Sequence, residues 1–267
     1  MDSEAAAERS QDDDDEDVGA DWHRRVVGRS LHSAQRRSID RGARLIRAAA
    51  AVLERSNGQS LTVQDVADEA GQSLRTLYQY FASKDDLLLA VYEEAMRTYA
   101  RIIRAAIATI EDPVERLAGG VIAAARMPAL HDKAGVDRGL SQLRLQIGQV
   151  DPNLVARSQA PVTALYQELI GDATAAVATA SAPVLGVEQA TYFLMSVRTS
   201  LVLSTTLGNE YGLRLPDVMD LSVFCLGGLG IVRPREWHSQ VDERLALAGE
   251  GRSILRRLAK EPGRARR

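Results

Sequence analysis

The stretch from Thr62 to Leu89, TVQDVADEAGQSLRTLYQYFASKDDLLL, constrains the fold more than any other part of the sequence. Thr62 stands where a helix N-cap is expected, and Asp65 follows at the spacing of a capping box. Gly71 comes directly after this helix, and glycine readily takes the left-handed conformation that ends a helix in a sharp turn. Ser73 is then positioned to cap a second helix. Two short helices joined by so tight a glycine turn predict a helix-turn-helix.

The second helix of this motif predicts a contact surface. Leu74, Leu77 and Phe81 recur at helical spacing, so we expect them to point inward. The side chains expected to point outward are long, aromatic or polar: Ser73, Arg75, Thr76, Tyr78, Gln79 and Tyr80. Ser83 is expected to cap a third helix with Asp86 at its N3 position, and Lys84 lies at the amino end of that helix. A cation placed there opposes the helix dipole, which indicates a phosphate partner.

These residues resemble the DNA-binding half of the tetracycline-repressor (TetR) family. The family pattern runs T-x-x-x-I-A-x-x-A-G-V-S, then x-x-T-L-Y-x-Y/H-F, then x-S-K-x-x-L, and this sequence departs from it at Val66 and Gln72. The matching residues are Thr62, Ala67, Ala70, Gly71, Ser73, Thr76, Leu77, Tyr78, Tyr80, Phe81, Ser83, Lys84 and Leu87. The resemblance implies a three-helix DNA-binding domain, followed by a helical body that encloses a small-molecule site and forms a dimer.

Composition agrees with a helical fold. The chain has 267 residues, of which 45% are hydrophobic and only 4% aromatic. Alanine and leucine abound and no run of alternating β-branched residues occurs, so we predict an all-α protein. The resemblance implies that it divides into an N-terminal helix-turn-helix DNA-binding domain of three helices and a C-terminal helical domain for ligand binding and dimerisation. The single cysteine, Cys225, is expected to be a buried thiol in a reducing compartment. We find no signal peptide or apolar membrane span in the sequence, and we expect a cytoplasmic protein.

Charge divides the chain into four segments. Residues 1–21 carry ten Asp and Glu against one Arg, whereas residues 22–84 carry eleven Lys and Arg against five acids. A basic segment around the helix-turn-helix is what a DNA-facing module requires. The predicted segments are an acidic and then basic disordered extension over 1–35, a DNA-binding domain over 36–84, a helical body over 85–232, and a polar basic tail over 233–267. The basic stretch 22–37 is either an arm or a short extra helix, and the first firm helix is expected from Ile39 to about Ser56.

The predicted DNA-binding residues fall into two groups. Arg75 and Gln79 are expected to read bases, because they are the long polar side chains on the outer face of the recognition helix. The residues expected to contact phosphates or position the motif are Arg36, Arg37, Arg41, Thr62, Ser73, Thr76, Tyr78, Tyr80 and Lys84.

Beyond the motif, the sequence predicts one long helix from Ser83 to Ile110, then helices at 113–127, 137–148 and 153–178. The most apolar stretches come last, at 183–207 and 216–232, and are apolar on more than one face. We expect them to form a subunit interface, with burial inside one chain as the alternative. In the resembled family, the helices at these positions form a four-helix dimer interface. A charge at Leu201 or Leu221 is therefore expected to produce monomers.

The sequence contains few residues with a pattern typical of catalysis. The four histidines are isolated from other metal-ligand residues, and no P-loop or nucleophile motif occurs, so we predict no enzyme activity, no metal and no cofactor. Arg198 is expected to hold an anionic ligand, to pair with Glu188 or Glu210, or to extend its charged end to solvent. The other residues predicted to line a ligand cavity are Tyr99, Met127, Arg144, Tyr166, Tyr192 and Met195.

Together these features predict a homodimeric transcriptional regulator, most simply a repressor that a small hydrophobic ligand releases from a palindromic operator on double-stranded DNA. Two alternatives remain open at this point. One is a constitutive or architectural DNA-binding dimer, and the other is a co-regulator whose body binds a protein partner instead of a metabolite. The sequence does not identify the operator, the ligand or the regulated genes.

Overall fold

The computed structural model describes residues 31–56, 60–126, 135–177, 185–207, 212, 214 and 218–231. All regular secondary structure in those ranges is helical, which confirms the all-α prediction. In chain order the helices are α1 over 31–55, α2 Val63–Ala70, α3 Leu74–Tyr80, α4 Lys84–Ile107, α5 Pro113–Arg126, α6 Gly135–Val150, α7 Pro152–Val177, α8 Val187–Leu207 and α9 Val218–Gly228.

Contacts between Cα atoms divide the chain into two units, residues 1–44 with 262–267, and residues 45–261. Of the first unit the structure describes only residues 31–44, which are helical and mostly exposed. The predicted boundary between residues 84 and 85 falls inside the second unit and stays a prediction. The expectations for residues 1–30 and for the tail beyond Arg233 lie outside the described residues.

The core of the second unit runs from the helix-turn-helix into the body. The second half of α1 contributes Leu45, Ala49 and Leu53, which are all buried, and the motif contributes Val66 and Leu77. In the body, α4, α5 and α7 pack on one another, α6 and α8 pack against α7, and α9 packs against α5. The core is therefore one apolar cluster that extends from the motif to the last described helix.

The helix bounds confirm most of the expected elements and correct one. The structure begins α1 at residue 31, eight residues before the predicted start at Ile39. Residues 31–40 are exposed and carry no apolar stripe, so the prediction from periodicity missed them. Once nucleated, a helix extends readily through alanine, glutamine and arginine. The basic residues 31–37 therefore continue α1 and do not form a separate arm. Among the described helices, none is long and apolar enough to cross a membrane.

Candidate functional site

The turn between α2 and α3 is fixed by local hydrogen bonds. The Thr62 hydroxyl accepts from the Asp65 amide at 3.1 Å, and the Asp65 carboxylate accepts from the Thr62 amide at 3.2 Å, so the capping box is complete. Gly71 ends α2 with φ 61° and ψ 37°, a left-handed conformation that favours glycine. The Gln72 amide donates to the Ala67 carbonyl at 2.9 Å. The amides of Gly71 and Gln72 are therefore both hydrogen-bonded where the chain reverses.

The recognition helix α3 starts from an equally well-defined cap. The Ser73 hydroxyl accepts from the Thr76 amide at 3.1 Å and lies 2.9 Å from the Thr76 hydroxyl. Leu77 is fully buried and anchors the helix to the core. Two expectations need correction, because Leu74 is 36% exposed and Tyr80 is half-buried against the core. A helix of seven residues turns too few times to present a clean inner stripe, so its first residue stays at the surface.

The outer face of α3 carries the side chains predicted to meet DNA. Arg75, Tyr78 and Gln79 are exposed, and Lys84 is exposed at the first position of α4. Within the described part of the chain, neither Arg75 nor Lys84 forms an ion pair. The nearby basic residue Arg55 differs, since it pairs with Glu69 at 2.8 Å. The charges of Arg75 and Lys84 are thus available to an external anion.

The other residues predicted to contact DNA either already have a hydrogen-bond partner within the motif or lie in the first unit of the chain. The Thr62 hydroxyl donates to the Asp65 carboxylate at 2.6 Å, so it would have to leave this partner to donate to a phosphate. Arg36, Arg37 and Arg41 are exposed on the first unit of the chain, and their role stays a prediction. At the start of α4, the Ser83 hydroxyl caps the Asp86 amide, while the Asp86 carboxylate accepts from Ala82 at 2.9 Å.

A second candidate site lies in the body, where polar side chains of three helices meet. The Arg198 guanidinium on α8 donates to the Gln159 side-chain oxygen at 3.2 Å, and Gln159 donates to the Tyr92 hydroxyl at 2.7 Å. The Arg198 guanidinium also lies over the Tyr99 ring, with its carbon 5.3 Å from the ring centre. We call Tyr92, Tyr99, Gln159 and Arg198 the arginine cluster. Its members come from α4, α7 and α8.

Two tyrosine hydroxyls connect this region of the body to backbone carbonyls of α5. Tyr99 donates to the Ala124 carbonyl at 2.8 Å, and Tyr166 on α7 donates to the Gly120 carbonyl at 2.9 Å. Burial raises the pKa of Tyr166 well above its usual value, so this hydroxyl stays neutral and donates. The result is a buried set of tyrosines whose hydroxyl groups are hydrogen-bonded.

Next to the arginine cluster is a small internal cavity. It is lined by Val121, Ala124, Tyr166, Leu194, Arg198, Leu221 and Cys225. The space that they enclose is about 10 Å³, which is room for about one water molecule. Small-molecule pockets in proteins are commonly about 300 Å³ or more. At this size the cavity is too small for an ordinary small-molecule ligand.

Only some of the residues predicted to line a ligand cavity lie at the cavity in the structure. Tyr166 and Arg198 line it, and Tyr99 contacts it through Arg198. Met195 is half-buried against the core, and Arg144 is half-buried on α6. Tyr192 was predicted as a lining residue, but it is 69% exposed and lies on another face of α8. Met127 lies outside the described residues.

Other expectations near the cavity are also corrected. Arg198 pairs with neither predicted acid among the described residues, since Glu188 is exposed at the start of α8 and Glu210 is not described. Leu221 lines the cavity of its own chain and is therefore a core residue, not an interface residue. Cys225 is half-buried where a buried thiol was expected. Gln159 and Tyr92 were missed, because a glutamine and a tyrosine on otherwise ordinary helices give no pattern that marks their partners.

The last two helices expose an apolar surface. Tyr192 and Phe193 on α8 pack edge to face, with ring centres 5.7 Å apart, and Phe193 is 56% exposed. On α9, Phe224 is 68% exposed and Val223 is also exposed. We call these four residues the aromatic face. Gly227 and Gly228 follow it with open space where side chains would stand.

The described residues contain no group of three His, Cys, Asp or Glu side chains that could hold a metal ion. The two features that the described residues define are an outward recognition helix on a helix-turn-helix and a helical body with a small, mostly apolar cavity beside a buried arginine. That combination is the architecture of a helix-turn-helix regulatory protein.

Comparisons with known proteins place the chain within this class. Residues 45–91 match the family model described as bacterial regulatory proteins, tetR family. The regulator HbdR of Aromatoleum sp. (strain CIB) is 33% identical over 82 residues, which are 31% of this chain and 36% of HbdR. The regulator BetI of Brucella anthropi is 36% identical over 74 residues, which are 28% of this chain and 38% of BetI. The chain thus matches little more than a third of the length of these curated relatives.

Among solved structures, RolR in complex with resorcinol aligns with a TM-score of 0.53 and 20% identity, covering 81% of this chain and 96% of RolR. At that identity the likeness concerns the fold, and it extends through the helical body. Residues 45–91 are therefore a segment of the tetR family of bacterial regulatory proteins, and the helical body that follows shares its fold with RolR.

Proposed function

We propose that this protein is a homodimeric DNA-binding transcriptional regulator, acting as a repressor that a small molecule releases from its operator. The observation that carries the proposal is the outer face of α3. Its cap and turn bonds are satisfied within the motif, while Arg75 and Gln79 are left exposed and, among described residues, Arg75 has no acidic partner. Such side chains suit hydrogen bonding to base edges in the major groove.

The similarity of residues 45–91 to the family's DNA-binding domain supports the same role, and the named relatives HbdR and BetI are transcriptional regulators. RolR, the relative in fold, was solved with a small molecule, resorcinol. A ligand-responsive regulator in the cytoplasm, where it meets the chromosome, accounts for both the basic segment 22–84 around the motif and the internal cavity.

The dimer in this proposal is a second copy of the chain packed against the aromatic face. Four exposed apolar side chains on the last two described helices are costly to leave in water, and a two-fold axis lets the same surface of two copies cover itself. The small residues Ser196, Ser200, Gly227 and Gly228 are exposed beside it, which lets two helices approach closely. Two recognition helices would then read inverted half-sites about 34–36 Å apart.

The switch in this proposal is α4. It has 24 residues, so it is about 36 Å long, and its first residue is Lys84. Tyr92 and Tyr99 lie eight and fifteen residues further along the same helix, or about 12 Å and 22 Å, and both belong to the arginine cluster. A ligand that displaces this cluster would shift the helix that carries Lys84. Ligand and operator would then weaken each other by the same factor.

The test is to select binding sites from random DNA with the full chain and then to compare variants on the selected operator. Arg75→Ala should relax the preference at particular base pairs, by about 1–3 kcal/mol of discrimination. Lys84→Ala should weaken all sequences alike and lower the salt dependence by about one unit of slope. Arg97→Ala is the matched control, since Arg97 is exposed on α4 but already pairs with Glu93 and Glu94.

Failure to select any sequence would refute the regulatory proposal. Selection of an operator whose affinity no small molecule alters would favour the constitutive or architectural alternative. A variant pattern in which Arg97→Ala acts like Lys84→Ala would show only a general charge effect.

A further inference from the structure

Arg198 is a buried cation without a counter-charge. Its side chain is only 8% exposed, and no carboxylate pairs with it among the residues that the structure describes. Its hydrogen bond to Gln159 and its position over the Tyr99 ring are both interactions with neutral groups. A buried charge ordinarily has an opposite charge beside it, because removing an ion from water is expensive.

The guanidinium also has unused capacity for hydrogen bonding. The Nε atom of Arg198 is buried and has no partner, and the same is true of Nε of Arg144. Burial raises the pKa of the Tyr92 hydroxyl, against the opposing effect of both guanidinium groups, which places Arg144 and Arg198 near the same tyrosine. Two cationic groups thus approach Tyr92, and Arg144 likewise has no acidic partner in the described ranges.

The remaining walls of the cavity are of the opposite character. Val121, Ala124, Leu194 and Leu221 are apolar, and they adjoin Arg198 directly. A molecule that fills this space would meet a cation at one end and hydrocarbon along its length. Guanidinium recognises a planar carboxylate by two parallel hydrogen bonds, and arginine is the side chain best suited to that geometry.

We propose that the body cavity binds an amphipathic monocarboxylate, with its carboxylate on Arg198 and its apolar part against α5, α8 and α9. The inference rests on the proposed function, and it names the class of ligand for that cavity. Because the cavity holds only about one water molecule, the ligand must displace lining side chains as it binds, and four of the seven lining residues belong to α8 and α9: Leu194, Arg198, Leu221 and Cys225. Those two helices carry the aromatic face, and Gln159 links Arg198 to Tyr92 on α4. Binding would therefore disturb the proposed dimer interface on α8 and α9, and also α4, which carries Lys84 at its first position.

The experiment uses the purified full chain and matched probes in the absence of DNA. The pairs are benzoate with benzyl alcohol and octanoate with 1-octanol, and phenol is the neutral hydroxyl control. Dissociation constants are measured by calorimetry and by the shift of the unfolding temperature with ligand concentration, since a ligand of the native state raises that temperature. At least one carboxylate should bind tenfold or more tightly than its alcohol.

Variants then test the assigned residue. Arg198→Met removes the cation but keeps a long side chain, and it should abolish the preference for carboxylate over alcohol. Arg198→Lys keeps the charge and should retain part of that preference. The control is Arg104→Met, because Arg104 is exposed and pairs with Glu168 at 2.9 Å, and this variant should bind the carboxylate as the wild type does.

Three outcomes would overturn the proposal. Equal affinity of the wild type for carboxylate and alcohol would do so, as would binding of phenol without binding of benzoate. A carboxylate preference that survives in Arg198→Met would assign the anion site elsewhere. The wild-type comparison needs no variant, so the proposal remains falsifiable if Arg198→Met fails to fold. Since no DNA is present, failure here is distinguishable from failure to select an operator.

Discussion

Gly71 and Gly171 offer a matched pair of glycine substitutions with opposite expected effects on stability. A Cβ added at either residue would meet no atom within 4 Å, so neither change creates a clash. Gly71 has φ 61° at the turn of the motif, whereas Gly171 lies inside α7. The two substitutions therefore differ in backbone conformation and hardly at all in packing.

The magnitudes follow from that difference. An L-residue in the left-handed region costs roughly 1–2 kcal/mol, so Gly71→Ala should destabilise the fold by about that amount. Alanine in a helix interior is better than glycine by roughly 0.5–1 kcal/mol, so Gly171→Ala should stabilise the fold. The two variants should differ by about 2 kcal/mol, which in a chain of this size corresponds to a separation of about 4–8 °C in unfolding temperature.

The assay is urea unfolding of both variants at one protein concentration, since the stability of the proposed dimer would depend on concentration. Gly71→Asn is an informative third variant, because asparagine tolerates the left-handed conformation better than alanine and should lose less stability. Gly71→Ala should also weaken operator binding, whereas Gly171→Ala should leave it unchanged. Destabilisation by Gly171→Ala, or no loss with Gly71→Ala, would refute the conformational reasoning.

Two further predictions concern the last helices. Phe193→Asp or Phe224→Asp should shift the protein from dimer to monomer in sedimentation, because each places a charge on the exposed aromatic face. The control is Leu145→Asp, at an exposed leucine of α6. A dimer that neither Phe193→Asp nor Phe224→Asp affects would contradict the proposed interface. Burial raises the pKa of the Cys225 thiol to about 11 from an ordinary value of 9.0, so the folded chain holds this proton more tightly than the unfolded chain. The protonated Cys225 thiol contributes to stability in full below about pH 9, and this contribution is lost as the pH rises towards 11. The wild type should therefore lose more stability than Cys225→Ala over that interval. Parallel pH profiles of stability for the two proteins would contradict this prediction.

What the sequence determined by itself is the local structure of the motif. Thr62 with Asp65, Gly71, and Ser73 with Thr76 act on backbone groups only a few residues away, so their spacing in the chain is also their spacing in the structure. The helices of the body followed from periodicity for the same reason, and their bounds are close to those predicted. The exceptions are local as well, since the exposed start of α1 has no apolar stripe to reveal it.

The tertiary structure alone decided which body residues meet. Arg198 and Gln159 are 39 residues apart in the chain, and Gln159 and Tyr92 are 67 apart, so no helical period relates them. Arg198 was identified as unusual because a charge interrupts an apolar stretch, but its neutral partners were not. Tyr192 and Leu221 show the same limit: both lie on helices that are apolar on several faces, and only packing against α5 and α7 decides that Leu221 is buried while Tyr192 faces solvent. Pattern specifies a helix, whereas the choice of inner face depends on neighbours that are distant in the sequence.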